Sequence, residues 1–262
     1  MRVFVITGIY HSLALLPHFV RFYSSVGIKH YLFHHNTEII SSSDVDNSIK
    51  NTGIEATCLH WDGPNNYRLQ HFWRLKLQRE FVRESDWVVI ADLDEFIDFR
   101  PFVQDVLTCC EQTGCNWVVG EFVDRISESG KLIDIDPAVN IFEQFPKESE
   151  ISRKILLAPY KRTVAIKGGY YPMHNCYEYD DAITAGLNQE SICRWPKILK
   201  IHHFKWHTGV VKMLKQRSER YQKLSKDNSL DYEEPFRQCE RFLRYYAEHE
   251  RLPILAEDLQ RL

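Results

Sequence analysis

No two cysteines of this chain stand in a Cys-x-x-Cys spacing, although it carries seven: Cys58, Cys109, Cys110, Cys115, Cys176, Cys193 and Cys239. The odd number and irregular intervals suggest neither a zinc ribbon nor a disulfide framework. Reduced thiols in a cytoplasmic protein are the expectation. Long apolar runs are also missing. The opening stretch MRVFVITGIYHSLALLPHFV is interrupted by Thr7, Gly8, His11, Ser12 and Pro17. It shows no signal core with a small-residue cleavage site and falls short of the ~18 apolar residues of a membrane span. Neither sign of charge dominates. The 33 Lys+Arg and 36 Asp+Glu give a formal charge of -3, no global reason to bind nucleic acid. Internal repeats and low-complexity linkers are absent too.

What is present is material for a core. Of the 262 residues, 44% are apolar and 13% aromatic, which supports a folded α/β domain with an extension rather than disorder. The order of elements follows from periodicity. RVFVITG reads as a buried first strand. Leu15, Leu16, Phe19 and Phe22 then recur at helical spacing until Gly27. KHYLFHHN is a second strand, a short helix covers about 44–51, and IEATCLHW is a third strand. A long helix over about 65–84 places Leu69, Trp73, Leu77 and Phe81 on its inner side. WVVIADLD is the fourth strand. Continuous apolar strands alternating with helices predict a mostly parallel sheet covered on both faces.

Beyond residue 100 the pattern changes. RPFVQDVLTCCEQTG reads as a helix and NWVVGEFVDR as a strand. The segments KILLAP, RTVAIKGGYYPMH and PKILKIHHFKW read as short strands and turns. Two helices close the chain, one over about 208–226 and one from about Glu233.

The stretch DWVVIADLDEFIDF carries the chemistry. It ends an apolar strand in Asp92, Asp94 and Glu95. Open α/β sheets place ligands at the carboxyl ends of their strands. Hard divalent cations such as Mg2+ or Mn2+ take oxygen ligands and keep positions open for phosphate. Asp-x-Asp at a strand end therefore suits a metal-diphosphate, and a turn with an N-cap is the plain alternative. So much like charge calls for a cation or for donors. A phosphatase of the Asp-x-Asp-x-Thr type is discounted. Phe96 stands where that pattern wants Thr or Val, and the motif follows the fourth strand rather than the first.

ADLDEFID resembles the Asp-x-Asp-Glu-Phe signature of family-two-like glycosyltransferases with the GT-A fold. YSSVGIKHYLFHHN, GGYYPMHN and IHHFKW resemble further segments of that family, spread over about residues 1–215. The resemblance implies a Rossmann-like GT-A domain over 1–207, with a C-terminal helical extension over 208–262 packed on it. It implies Mn2+ or Mg2+ held mainly by Asp94 and helped by Asp92, with His203, rather than His202, completing the coordination. Gly8, Asn36, Asp92, Gly169, His174 and Lys205 would line the nucleotide-sugar site, where Gly168 and Gly169 permit a close approach of backbone to ligand. Turn, loop and hydrogen-bonding roles are the plain alternatives for these residues. Glu95 would brace the loop or approach the sugar.

The family's acid pair ahead of a helix has no clear copy here. Of the carboxylates in YEYDDA, Asp181 and then Asp180 are the candidates for the catalytic base, with Glu178 nearby. The implied reaction moves a sugar from a nucleotide donor, UDP-linked by resemblance, to a hydroxyl of a glycan, lipid-linked sugar or protein, with inversion. Lys212, Lys215, Arg217, Arg220, Lys223 and Lys226 form a solvated helix face, or else attract a phosphorylated or lipid-linked acceptor or a membrane surface. Two rivals share the metal-diphosphate chemistry: a metal-dependent phosphodiesterase or nucleotidyltransferase, and a non-catalytic sugar- or nucleotide-binding protein.

Overall fold

Every residue of the first strand, β1 (Val3–Ile9), is buried, as a strand covered on both faces must be. The same holds for β2 (His30–Asn36) after its first residue. In this computed structural model, which describes residues 1–10, 12–63, 65–171, 193–226 and 232–255, these two strands are the centre of the parallel part of a mixed sheet. Helix α1 (Leu16–Ser25) follows β1. Helix α2 (Ser42–Asn51) is capped by Ser41, whose hydroxyl accepts the N–H of Asp44 at 3.1 Å. Strand β3 (Ala56–Trp61) lies parallel to β2 at the edge of the sheet.

Helix α3 (Tyr67–Phe81) starts at Asn66, whose side chain accepts the N–H of Leu69 at 3.0 Å. Its inner face differs from the apolar stripe that periodicity predicts. Leu77 is buried, but Leu69, Trp73 and Phe81 are only half-buried, and Arg74 and Gln78 are buried beside Leu77. Gln78 is used to tie backbone: its amide donates to the carbonyls of Gly168 at 3.2 Å and Tyr170 at 2.7 Å.

Strand β4 (Trp87–Ile90) pairs in parallel with β1, so the parallel strands run in the order β3-β2-β1-β4. Strand β5 (Glu95–Ile97), helix α4 (Val103–Gln112), strand β6 (Trp117–Ile126), helix α5 (Ile141–Gln144), strand β7 (Lys147–Ser149), strand β8 (Lys161–Lys167) and strand β9 (Arg194–His203) follow. The sheet continues from β4 through β8, β6, β9 and β5, with β7 added on β6. Strand β8 is antiparallel to both β4 and β6. The sheet is thus parallel in its first four strands and mixed beyond them.

The chain divides into two compact units, residues 1–121 with 161–201, and residues 122–160 with 202–262. The division groups the last two helices, α6 (Gly209–Lys226) and α7 (Glu233–His249), with 122–160, a different cut from a break at 207. The core of the first unit includes Phe4, Ile6, Leu32, Leu77, Val88, Ile90 and Ile166. That of the second includes Ile126, Ile151, Trp206, Leu214 and Phe242. One segment of the second unit corrects the sequence reading. KILLAP is no strand: Ile151–Ile155 form one π-helical turn, and irregular chain follows. A four-residue apolar run fits a strand and a buried helical turn equally well. No helix among the described residues is long and apolar enough to cross a membrane.

Candidate functional site

The strand order 3-2-1-4 turns back between β1 and β4, and ligands of such sheets lie at that switch, outside the carboxyl ends of the strands. Here Ile6 pairs with Ile90, and the chain leaves β4 through Ala91 into a turn over Asp92–Glu95. The turn closes on itself. The N–H of Glu95 donates to the carbonyl of Asp92 at 2.9 Å, and the Glu95 carboxylate accepts the N–H of Asp92 at 2.9 Å.

Two arginines from distant segments meet these acids. Arg162 opens β8, and because β8 runs antiparallel to β4 its beginning lies toward the end of β4. Its Nη1 is 2.5 Å from Oε1 of Glu95 and 3.4 Å from Oδ2 of Asp92. Arg74, on the inner face of α3, donates through Nη2 to Oδ1 of Asp92 at 3.1 Å. The Arg162 and Glu95 side chains are out of solvent, whereas that of Asp92 keeps 42% exposure. Asp94 is half-buried. The cation demanded by this acidic turn is therefore supplied in part by the protein itself. Glu95 is spent on bracing the turn, and the three carboxylates do not converge on one point within coordinating reach.

Tyr10 lies just beyond β1, close enough to Arg74 and Asp92 for both charges to act on its phenol. Its ring lies where a Cβ on Gly8 would stand, so the glycine makes room for that ring. Its hydroxyl is 2.7 Å from Nδ1 of His34 on β2. Burial raises the Tyr10 phenol well above its usual range; nearby Arg74 opposes this and Asp92 adds to it. Burial, then Arg74 and His35, hold His34 well below the usual histidine range, so its imidazole is neutral at pH 7.

The remaining expected residues fall in several places. Asn36 donates to the carbonyl of Gly63 at 2.9 Å and accepts the N–H of Glu38 at 3.2 Å, bracing two loops. Gly169 lies away from the acidic turn. It follows the end of β8, where Lys167 pairs with Trp87, and this is the opposite end of β4 from Asp92. A Cβ at neighbouring Gly168 would strike the carbonyl of Arg83, so the close approach there is to the chain's own backbone. His174, Glu178, Asp180 and Asp181 lie outside the described residues.

His203 belongs to the second unit, where its Nδ1 is 2.8 Å from Oδ1 of buried Asp124. Asp124 also accepts from Trp206 Nε1 at 2.7 Å, the Ser152 hydroxyl at 2.8 Å and the Ser152 N–H at 2.7 Å. The π-helical turn supplies that Ser152. The Asp124 oxygen accepts at this contact, so Nδ1 of His203 carries a proton. His202 lies edge-on to Phe142, and Lys205 stands 5.3 Å over the ring of Trp206. Sequence reading missed Arg74, Arg162, Tyr10 and Asp124. The one available signal was Arg74, a charge at a position the helical period places beside the buried stripe.

No family model and no curated protein matches the sequence. Among solved structures, the chain is similar to S. aureus TarS 1-349, at 11% identity over 95% of this chain and 72% of that one, with a TM-score of 0.43. It is similar to HddC from Yersinia pseudotuberculosis at 12% identity over 64% and 75%, with a TM-score of 0.33. It is also similar to a 4-diphosphocytidyl-2C-methyl-D-erythritol synthase at 10% over 64% and 76%, with a TM-score of 0.36. These likenesses are low, and the reading of function rests on this chain's own residues.

Proposed function

We propose that the chain is a metal-dependent glycosyltransferase that binds a nucleotide-sugar, UDP-linked in the first place, at the switch between β1 and β4. The observation that carries this reading is the Asp92–Glu95 turn at that switch, built by Glu95, Arg74 and Arg162 around the motif that resembles the glycosyltransferase signature.

The turn's carboxylates fit Mn2+ or Mg2+ in donor type, since both ions take oxygen ligands. Asp92 is already paired with two guanidiniums, so Asp94 is the principal candidate ligand and Asp92 its positioned helper. When bound, the ion would stabilise the charge that develops on the departing diphosphate. The protein's own part is positioning. Glu95 and Arg162 fix the turn, Arg74 orients the Asp92 carboxylate, and Tyr10 is held against neutral His34 nearby. Asp181, then Asp180, is proposed to take the proton of the acceptor hydroxyl as the sugar transfers with inversion, a step typically worth ~10²–10⁴-fold. The acceptor is a glycan, lipid-linked sugar or protein.

The test is a thermal-shift panel of UDP, GDP and their sugar conjugates, with and without Mn2+. A Mn2+-dependent rise in Tm with a UDP ligand, lost in Asp94→Ala, is the expected result. Equal shifts in wild type and variant would overturn the assignment. Product analysis then separates the chemistry: free nucleoside diphosphate marks glycosyl transfer, whereas monophosphate or pyrophosphate marks phosphodiester or nucleotidyl chemistry.

A further inference from the structure

At the outer edge of the sheet, three side chains of different donor chemistry meet. Cys58 and His60 are two residues apart on β3 and so point to the same face. Asp46 reaches them from α2. One carboxylate oxygen, the thiol sulfur and one imidazole nitrogen all lie within 4.8 Å of one another. His60 Nε2 is 2.9 Å from Oδ1 of Asp46. Behind it stands His35, the register partner of His60 on β2, with its Nδ1 3.0 Å from Nδ1 of His60. His35 is buried, behind His60 on the neighbouring strand.

We propose that Asp46, Cys58 and His60 form a binding site for a divalent transition metal, zinc in the first place, and that His35 orients the His60 ring.

The donor set selects the class. Thiolate and imidazole favour zinc over Mg2+ or Mn2+, and three protein ligands leave a fourth tetrahedral position for water. The tautomers fit. With the metal on Nε2 of His60, its remaining proton is on Nδ1 and is donated to Nδ1 of His35, the kind of outer partner that metal-bound histidines require. An ion pair of Asp46 with His60 accounts for two of the three groups and leaves Cys58 without a part. The metal would pin α2 to β3, the edge strand of the sheet, whose outer side would otherwise be open to pairing. The site shares no residue with the acidic turn and does not depend on the proposed reaction.

Cobalt(II) is the probe. Added to reduced, metal-stripped protein, it is expected to give a thiolate-to-cobalt charge-transfer absorption that saturates at one equivalent and is displaced by Zn2+. The band should survive in Asp94→Ala and in the Cys115→Ser/Cys193→Ser variant, which removes the other close thiol pair at 3.2 Å. It should vanish in Cys58→Ser. Asp46→Asn changes an exposed residue and keeps the fold, so it decides the matter even where Cys58→Ser does not fold. It should weaken binding at least ~10-fold and abolish the rise in Tm that Zn2+ gives wild type. His35→Gln should weaken binding ~10–100-fold, the usual cost of losing an outer partner. Absence of the band, its persistence in Cys58→Ser, or wild-type affinity in Asp46→Asn would each overturn the proposal.

Discussion

Arg162 and Glu95 form an ion pair of 2.5 Å with both side chains withdrawn from water, and through it the turn after β4 is fastened to the first residues of β8. Removing one partner strands a buried charge, which typically costs about 3–5 kcal/mol, whereas replacing both by apolar groups of similar size is often neutral. Glu95→Leu and Arg162→Met should each lower the urea midpoint strongly, and the double variant should recover most of the loss. Additive losses would show that the pair does not hold the turn.

How much of this was legible beforehand depends on sequence separation. The parallel strands and the acidic tip could be read because each is a continuous local pattern. Arg74 and Arg162 could not. They reach Asp92 from 18 and 70 residues away, and only the packing of α3 and the antiparallel course of β8 bring them there. The same course removes Gly169 from the acidic end, since a run read as "strand then glycines" does not reveal which end of the sheet it reaches. The Asp46, Cys58 and His60 cluster leaves no mark in cysteine spacing, since its ligands come from a helix and a strand.

Gly8 and Tyr10 make a second coupled pair. A methyl group at Gly8 collides with the Tyr10 ring, so Gly8→Ala must expel the ring from its place against His34. Overpacking of this kind costs about 1–3 kcal/mol. In a double-mutant cycle, Gly8→Ala should destabilise wild type but cost much less in a Tyr10→Ala background. Equal costs in the two backgrounds would remove Gly8 as the seat of the tyrosine.

In the second unit, Asp124 holds a proton on Nδ1 of His203. Nitrogen-detected NMR of the imidazole should find a proton on Nδ1 in wild type, because the Asp124 oxygen accepts at that contact. Asp124→Asn should lower the occupancy of that proton site. Asp124→Ala leaves the Trp206 and Ser152 donors without their acceptor and should cost at least about 3 kcal/mol in a urea titration. An Nδ1 without a proton in wild type would contradict the assignment.

Asp86 governs an acid-sensitive clasp at the start of β4. Burial alone would raise its pKa, but the Arg2 guanidinium at 2.6 Å, the Arg2 N–H at 2.9 Å and the Arg83 N–H at 3.2 Å outweigh it and hold the carboxyl below its ordinary value. The sign follows from proton counting. Above the unfolded value, about 3.9, both states are ionised and the contribution to stability is complete. As pH falls through that value the unfolded chain takes up its proton first. Stability is therefore lost progressively until the folded carboxyl is protonated as well. Asp86→Asn removes this linkage. The Tm gap between wild type and variant should be widest near neutrality and should narrow as pH falls below about 4. A gap that stays constant over that range would show that the Arg2 and Arg83 donors do not lower the Asp86 pKa.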